Sequence, residues 1–424
     1  MRLAALQARG RLVEEGSVER ALSAHLCRCT GWRTILEAAQ VVGARDPAAP
    51  SARRDLAAAA RRAALEGGTP QAVGPSVPLG AAGFADDTAP ADALVAVPDG
   101  AGGWAVAATL GEARAAAGKV QGRRSTISLR HPLDVPTGAW RLTLRTTWVE
   151  PAYLETDASW CRPGGEPVTP LANGGAFGGK EASPAPGVAR RLADAHGRPV
   201  RVLLSREDTV RLGPKRPPVA AGITRDGTGV MRIARTPGVA EAVRSVFPGL
   251  VVEELDVVGP PTSSAIRGAG WVEAAVLLAA VSRLDESVCS ESESAVRVVS
   301  PSGAAADAWV TRDGVRVRVS CGQPLDEVVL RSYCTGAAHM ALSWVRSEGL
   351  AVDDAGEPHD LTIRSFGILS ARDTPSVEVE IAPSEDPPVN GSDAVFGAVA
   401  AAAWVADGLP QDWPTGRGEL AGRS

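Results

Sequence analysis

The sequence predicts an α+β fold in which a helical N-terminal segment precedes mixed layers of helices and strands. Residues 1–45 have the apolar spacing of amphipathic helices. From residue 84 onward, short strand-like stretches, some with period-two alternation, are interleaved with longer stretches of helical character. No internal repeat is present. Together these observations indicate layered packing around large cores rather than a solenoid.

The predicted elements divide the chain into four regions. These are a helical region (1–46), a helix with a Gly/Pro-rich linker (47–83), a first region of mixed helices and strands (84–284) and a C-terminal mixed region (285–424). Helices are predicted at 51–66, 187–196, 270–284, 326–348 and 392–406. Strands are predicted at 93–97, 104–108, 140–149, 199–204, 315–320 and 376–382. The Ser/Glu-rich stretch 286–294 is expected to be a solvated loop.

Composition excludes several classes of protein. The 424 residues carry a net charge of −5, so no basic footprint for nucleic acid is present. The first residues contain no apolar core of a signal peptide, and no uncharged apolar run reaches the roughly 18 residues of a membrane span. We therefore expect a cytoplasmic protein with reduced thiols. The five histidines are dispersed, which argues against a histidine-based metal site.

Cys27 and Cys29 lie one residue apart between two helix-like segments. Cysteines at this spacing do not form an ordinary disulfide, because their side chains diverge. On a tight turn both sulfurs can face one metal centre, and a basic neighbour such as Arg28 would favour the thiolate form. The alternative is a pair of inert thiols. A [2Fe–2S] cluster needs four protein ligands, and the next cysteine along the chain is Cys161, so as cluster ligands the pair would be half of a site.

A second stretch, Gly-Gly-Ala-Phe-Gly-Gly-Lys-Glu at 174–181, is rich in glycine. Such a backbone can approach a ligand closely and present N–H groups to an anion. The spacing does not match a Walker A loop. The alternative is an ordinary glycine-rich turn.

Two further stretches contain candidate charged groups. Ala-Ile-Arg-Gly-Ala-Gly at 265–270 places Arg267 ahead of an apolar helix, where it is either a functional cation or a solvated or salt-bridged loop residue. Near the C-terminus, Ser-Glu-Asp-Pro-Pro at 384–388 contains Glu385. This carboxylate is a candidate general base, and the alternative is a solvated turn residue.

These stretches resemble one family. Residues 16–39, and above all Leu-Cys-Arg-Cys-Thr-Gly-Trp at 26–32, resemble the second [2Fe–2S] domain of the xanthine dehydrogenase/aldehyde oxidase family of molybdenum hydroxylases. Residues 174–181 are similar to the Gly-Gly-Gly-Phe-Gly-Gly-Lys-Glu motif of its molybdenum subunit, with Ala176 replacing the third glycine. Residues 265–270 are similar to an Ala-Phe/Tyr-Arg-Gly-Phe-Gly loop, with Ala269 replacing the second aromatic residue. Val149 stands where the family has a cofactor-holding glutamine.

The resemblance implies an N-terminal [2Fe–2S]-type helical segment, and it implies that 84–284 and 285–424 are two parts of a molybdopterin-binding domain. It implies a molybdopterin-type molybdenum cofactor and a [2Fe–2S] cluster, of which the sequence supplies two ligands, Cys27 and Cys29. The implied catalytic residues are Glu385, Arg267 and Glu181. The implied cofactor-binding residues are Gly174, Gly175, Phe177, Gly178, Gly179, Gly268 and Ala269.

The implied function is that of an oxidoreductase that hydroxylates a purine, an N-heterocycle or an aldehyde and passes electrons through iron–sulfur centres. The expected partners are a small-molecule substrate and another iron–sulfur or flavin subunit, with a homo-oligomer as an open alternative and without nucleic acid or membrane. The competing interpretation is a degenerate, non-catalytic homologue that serves as a binding or assembly subunit. The missing cluster ligands, Val149 and Ala269 favour this second interpretation, and the nearly intact glycine motif favours the enzyme.

Overall fold

The structure is a computed structural model. It describes residues 1–23, 25, 27–44, 54–120, 122, 127–171, 174–285, 295–312 and 314–416. Within these residues the helices are α1 Arg2–Ala8, α2 Glu15–Leu22, α3 Arg33–Gly43, α4 Leu56–Gly67, α5 Leu110–Ala117, α6 Ala185–His196, α7 Arg206–Leu212, α8 Val239–Val246, α9 Trp271–Asp285, α10 Glu327–Arg346 and α11 Ser392–Ala406. Short 3₁₀ helices occur at Val77–Leu79, Ala85–Thr88, Ala176–Gly178 and Ile363–Ser365.

The strands form three four-stranded sheets. They are β1 Leu94–Pro98, β2 Trp104–Ala107, β3 Leu142–Arg145, β4 Ala158–Cys161, β5 Val200–Leu203, β6 Val219–Ile223, β7 Gly229–Ala234, β8 Leu250–Leu255, β9 Val296–Val299, β10 Ala305–Val310, β11 Gly314–Ser320 and β12 Ser376–Ile381. The strand orders are β2-β1-β5-β4, β3-β6-β7-β8 and β12-β11-β10-β9. Each sheet contains one parallel pair, β1 with β5, β7 with β8 and β11 with β12, and is otherwise antiparallel.

The first sheet is covered by a helix on each face, because its strands alternate. On β1, Ala96 belongs to the apolar cluster formed with α6, whereas Val95 and Val97 pack in a second cluster with Ala113 of α5. The other two sheets share one large core with α8, α9, α10 and α11. This core draws residues from both predicted mixed regions, 84–284 and 285–424.

Helices α1–α3 form a small separate cluster around Leu12, Trp32 and Leu36. The cluster is tied to the C-terminal half of the chain, because the Trp32 indole N–H donates to the carbonyl of Leu369 at 3.3 Å. The predicted helical character of 1–45 is confirmed for the described residues. Across the described ranges, no helix combines the length and the apolar character that crossing a membrane requires.

The α+β class is confirmed, and most predicted elements are found within a few residues of their predicted bounds. One strand is shorter than expected, since the predicted strand 140–149 is regular only over β3. Beyond Arg145 the regular strand ends, although the Thr146 N–H still donates to the Val219 carbonyl at 2.8 Å and the Thr146 hydroxyl accepts the N–H of Val219 at 2.9 Å. The predicted loop 286–294 and residues 51–53 of the predicted helix lie outside the described residues.

Candidate functional site

A cavity of about 510 Å³ lies where eight segments meet. Three of them are the motifs of the sequence, which we call the cysteine turn (27–32), the glycine loop (174–181) and the arginine loop (265–270). The others are the end of α4 with the turn that follows it, Phe84, the stretch 153–155, the middle of α10 and the start of α11. The cavity brings together seven predicted site residues, Cys29, Gly174, Gly175, Phe177, Gly178, Glu181 and Arg267. The remaining five, Cys27, Gly179, Gly268, Ala269 and Glu385, are not among its lining residues.

Close packing explains most glycines of the glycine loop. A Cβ on Gly178, at φ +83°, would overlap the carbonyl oxygen of Ala265 in the arginine loop. A Cβ on Gly175 would lie 2.5 Å from the carbonyl oxygen of Gly67, and one on Gly179 would lie 2.6 Å from the Tyr153 ring. Only Gly174, at φ +147°, has open space where its Cβ would be. The loop is therefore built to pack against its neighbours, and Gly174 alone leaves its backbone open to a ligand.

Arg267 is held firmly at the cavity wall. Its Nε lies 2.7 Å from Oδ1 of Asp393, and its Nη2 donates to the Ser392 hydroxyl. Its backbone N–H donates to the carbonyl of Phe177 at 2.9 Å, which joins the arginine loop to the glycine loop. Arg267 is thus a paired, largely buried cation, and its functional role stays a prediction.

Gly268 and Ala269 lie behind the wall. Ala269 is 1% exposed and packs in the core, and a Cβ on Gly268, at φ +64°, would overlap the Val272 side chain. Their positions start helix α9, where the N–H of Gly270 donates to Glu273 at 2.8 Å. The structure therefore gives them a packing role and does not bring them to the cavity.

The cysteine turn rests directly on α10. A Cβ on Gly31, at φ +56°, would lie 2.8 Å from the Thr335 carbonyl oxygen, and a Cβ on Gly336 would overlap the carbonyl oxygen of Cys29. The side chains of Cys27 and Cys29 lie in different surroundings. Cys27 packs against the helical cluster and lies 3.1 Å from the Thr30 hydroxyl, whereas Cys29 lines the cavity.

The Cys29 thiol is held in its neutral form. Burial raises its pKa to about 12, Cys27 raises the pKa further, and Arg28 and Arg267 lower it by less. Cys29 lines the cavity, where surrounding protein atoms desolvate the thiol although part of its surface is exposed. Arg28 thus favours the thiolate in the expected direction, but burial outweighs it, and that guanidinium is itself buried in an ion pair with Glu348.

No metal centre is formed by protein side chains in the described ranges, where no group of three or more His, Cys, Asp or Glu residues is placed to hold a metal ion. Cys27 and Cys29 therefore supply two sulfurs, and a [2Fe–2S] cluster needs four ligands. The described residues do not fit a complete cluster.

Glu385 lies on an exposed loop, and its carboxylate oxygen Oε2 accepts from the Gln323 side chain at 3.3 Å. The structure does not bring this carboxylate to the cavity. The acidic residues that line the cavity are instead Glu66, Glu155, Glu181 and Asp393. A general-base role for Glu385 stays a prediction that its position does not support.

Several lining residues were missed by sequence reasoning. Glu66 and Gln71 come from the region predicted as a helix and linker. The Gln71 side-chain oxygen accepts a hydrogen bond from the Tyr333 hydroxyl at 2.7 Å. Glu155 forms an ion pair with Lys180 of the glycine loop. Burial raises the pKa of Glu155, and the Lys180 ammonium opposes this rise in part. The helix itself was predicted, and the Arg62/Glu66 spacing of four residues is a signal in the sequence that could have pointed to Glu66 as a paired carboxylate.

The charges of the cavity wall are almost fully matched. Its two lining cations, Lys180 and Arg267, pair with Glu155 and Asp393, respectively. Glu66 pairs with Arg62, which lies just behind the wall. Glu181 is the lining carboxylate for which the described residues provide no such pair, so the wall is close to neutral and slightly acidic.

The architecture is similar to the fold of two aldehyde oxidoreductases of known structure. The aldehyde oxidoreductase from Desulfovibrio gigas matches with a TM-score of 0.62 at 12% identity, covering 98% of this chain and 87% of that chain. The aldehyde oxidoreductase from Desulfovibrio desulfuricans matches with a TM-score of 0.59 at 11% identity, covering 99% of this chain and 87% of that chain. No protein-family model matches the sequence, and no curated protein matches it significantly. At these identities the likeness establishes the fold.

Proposed function

We propose that this chain is an oxidoreductase of the molybdenum hydroxylase type and that its small-molecule substrate binds in the cavity. One observation carries the proposal, namely that the cysteine turn, the glycine loop and the arginine loop converge on one cavity from three distant parts of the sequence. We propose a purine, an N-heterocycle or an aldehyde as the substrate. The aldehyde class is supported by the names of the two structural neighbours.

A molybdopterin-type cofactor fits the glycine loop in shape. The open space above Gly174 allows a flat ligand to approach the backbone there, and Gly174 and the cavity-lining Phe177 would hold it. When bound, this cofactor supplies the electron acceptor for oxidation of a substrate carbon. Arg267 would offer a fixed cation to the substrate, because Asp393 and Ser392 orient it. The raised pKa of Glu155 suits this carboxyl for holding and releasing a proton.

Electron transfer needs a partner in this proposal. The cysteine turn does not fit a complete cluster, so no step is assigned to it. We propose that another iron–sulfur or flavin subunit receives the electrons. The cysteine turn would then have a structural role. It packs against α10 through the close contact between Cys29 and Gly336, and so forms part of the cavity wall.

A second candidate function is a binding or assembly subunit without redox activity. A specific observation favours it. Lys180 and Arg267 already pair with carboxylates, so the phosphate of a molybdopterin-type cofactor meets no unpaired cation among the described lining residues. In this role the cavity would bind a small molecule without a cofactor.

Molybdenum and pterin analysis of the purified chain separates the two functions. The chain is produced in cells that are competent for cofactor synthesis, and the oxidoreductase should contain equimolar molybdenum and pterin. Gly174→Val, which fills the open space of the glycine loop, should abolish both. Gly80→Val is the matched control, because Gly80 also has a positive φ and open space around its Cβ position but lies away from the cavity. Absence of molybdenum from the unmodified chain would refute the oxidoreductase and leave the binding subunit.

A further inference from the structure

Asparagine is rare in this chain, and both asparagines, Asn173 and Asn390, are followed by glycine. Asn173 lies outside the described residues, whereas Asn390 is partly exposed and lines the cavity, where water reaches it. Asparagine loses its side-chain amide most easily before glycine, because glycine has no Cβ to hinder the approach of its backbone nitrogen to the amide carbon. The pair Asn390–Gly391 is therefore a candidate site of spontaneous modification at the cavity wall.

The reaction at this pair uses only the chain and water. The backbone nitrogen of Gly391 attacks Cγ of Asn390, so that an N–C bond forms and the bond between Cγ and Nδ2 breaks. The proton of the Gly391 N–H leaves with the side-chain nitrogen as ammonia, and a cyclic imide remains. Water then opens the imide at either of its two carbonyl groups and gives aspartate or isoaspartate at position 390. No oxidant or reductant takes part.

Hydrogen bonds hold both reacting groups in the folded chain. The Asn390 side-chain N–H groups donate to the carbonyl oxygens of Leu65 and Glu66, at 3.2 Å each. Its Oδ1 accepts the N–H of Asp393 at 3.0 Å. The attacking group is held as well, because the Gly391 N–H donates to Oε1 of Glu66 at 3.1 Å. Ring closure requires rotation about the bonds between Cγ and the Gly391 nitrogen, and this rotation disrupts these hydrogen bonds.

The last turn of α4 supplies most of this restraint, since the two carbonyl oxygens and the carboxylate all belong to residues 65 and 66. Polar bonds attach α4 to its neighbours, as Arg62 shows by donating to the Val389 carbonyl at 2.8 Å. Its apolar cluster with Val329 is small. Segments with few apolar contacts open locally at a low cost in free energy. Displacement of this turn would free the Asn390 amide and the Gly391 N–H together.

Packing explains why glycine follows Asn390. A Cβ on Gly391 would lie 2.9 Å from Sγ of Cys321, so a side chain at this position is not accommodated without movement. Modification would replace the neutral amide of Asn390 by a carboxylate near Asp393. It would also remove the two donors that bond to the last turn of α4. The product therefore holds this turn less firmly than asparagine does.

We propose that Asn390–Gly391 is a spontaneous deamidation site that the last turn of α4 keeps closed, and that deamidation releases this turn irreversibly. The rate of modification reports how often the turn opens. The change persists after the turn closes again, because the ammonia is lost. This inference does not rest on the proposed function, and its tests need neither molybdenum nor a substrate.

Peptide mass spectrometry of the full chain measures the reaction. The chain is incubated at mildly alkaline pH, folded or unfolded in urea, and aspartate and isoaspartate at positions 173 and 390 are quantified after digestion. In urea the two positions should react at similar rates. In the folded chain, position 390 should react about a hundredfold more slowly than in urea, because only locally opened molecules react. Equal rates at position 390 in the folded and the unfolded chain would overturn the proposal.

Glu66→Gln tests the role of α4. It keeps the volume of the side chain but removes the charge that pairs with Arg62 and accepts the N–H groups of Gly391 and Ser392. Modification at position 390 should become about tenfold faster in the folded variant, because the turn opens more often. Glu181→Gln, at a lining carboxylate that takes no part in these hydrogen bonds, is the matched control and should leave the rate unchanged. Equal rates in the two folded variants would refute the role of α4.

A milder variant keeps the test valid if Glu66→Gln does not fold. Tyr333→Phe removes the hydroxyl that donates to Gln71, just beyond α4. The loss of one hydrogen bond should accelerate modification about threefold, and an unchanged rate would contradict the proposal. Asn390→Asp has the charge of the product, and amide hydrogen exchange in the last turn of α4 should be faster in this variant. Unchanged exchange would overturn the release of the turn.

Discussion

Arg28 and Glu348 form a buried, two-point ion pair between the cysteine turn and the chain just beyond α10. Nη2 of Arg28 lies 2.7 Å from Oε2 of Glu348, and Nη1 bonds to the second carboxylate oxygen. The pair joins parts of the sequence that are 320 residues apart. The basic residue of the Cys-Arg-Cys motif thus anchors the turn to the fold.

Breaking this pair should be costly. Arg28→Met leaves the buried Glu348 charge without its cation, and we expect a loss of about 3–5 kcal/mol in the free energy of unfolding. Arg331→Met is the matched control, since Arg331 makes a two-point pair with Glu37 that is largely exposed, and it should cost about 1 kcal/mol or less. Urea denaturation measures both. The double variant Arg28→Met/Glu348→Leu should recover much of the loss, and a single variant as stable as the control would contradict the prediction.

Gly178 should tolerate no side chain. In Gly178→Ala the new methyl group would overlap the Ala265 carbonyl oxygen and separate the glycine and arginine loops. We expect a loss of about 2–4 kcal/mol, from overpacking together with the strain of a positive φ. Gly227→Ala has nearly the same φ, +81° against +83°, with no atom within 4 Å, so it isolates the strain and should cost about 1–2 kcal/mol. If urea denaturation gives the same loss of unfolding free energy for Gly178→Ala and Gly227→Ala, the contact between Gly178 and Ala265 contributes nothing to the effect.

Two helix glycines should respond to alanine with opposite signs. Gly336 lies inside α10, where alanine is intrinsically favoured, but its Cβ would overlap the Cys29 carbonyl oxygen. We expect Gly336→Ala to destabilise the chain by about 1–3 kcal/mol. Gly187→Ala in α6 meets no neighbouring atom and should stabilise the chain by about 0.5–1 kcal/mol. Thermal melting of the two variants decides this, and stabilisation by both would mean that the cysteine turn does not rest on α10.

Acid should destabilise the fold through His339. Burial lowers the pKa of this imidazole to about 4, from an ordinary value of 6.5. Between these values the unfolded chain binds a proton that the folded chain does not, so the free energy of unfolding falls as the pH falls from 6.5 to 4. The titration of His339 lowers the free energy of unfolding by at most about 3 kcal/mol over this pH range. His339→Gln should flatten this part of the stability profile in urea titrations at several pH values. His196→Gln, at an exposed position, should leave the profile unchanged, and an unchanged slope in His339→Gln would refute the assignment.

Long elements with clear periodicity were predictable from the sequence. Helix α11 begins and ends where the apolar stretch 392–406 does, since a run that is buried all round leaves little doubt about its bounds. Some short strands were predictable, such as β1, β2 and β5, but others were not. Strand β4 has four residues and no period-two pattern of apolar residues, because Ser159 is buried beside Ala158. Its place is decided by pairing with β5, which is a long-range property.

The site was predictable only where a motif forms it. The glycine and arginine loops could be found, because their glycines must accept close contacts. Buried charges could not be placed, as Lys215 and Arg216 illustrate, which are buried in ion pairs with Glu150 and Glu273. The partners of such charges are distant in sequence, and nothing local specifies them. The same reason hides Glu66, whose acceptor role depends on a helix more than three hundred positions away.

Helix α4 and the turn that follows it offer a route by which the ligand preference of such a cavity can change. Its own apolar cluster is small, formed by Ala59, Ala63 and Val329 with a few partly buried neighbours, and it contributes no strand to any sheet. Yet α4 and the turn that follows it deliver Glu66, Gly67, Gly68 and Gln71 to the cavity. Recombination of this one continuous segment would exchange four wall positions at once and leave the three sheets intact. A chain organised in this way can change its ligand by segment exchange rather than by successive point substitutions in its core.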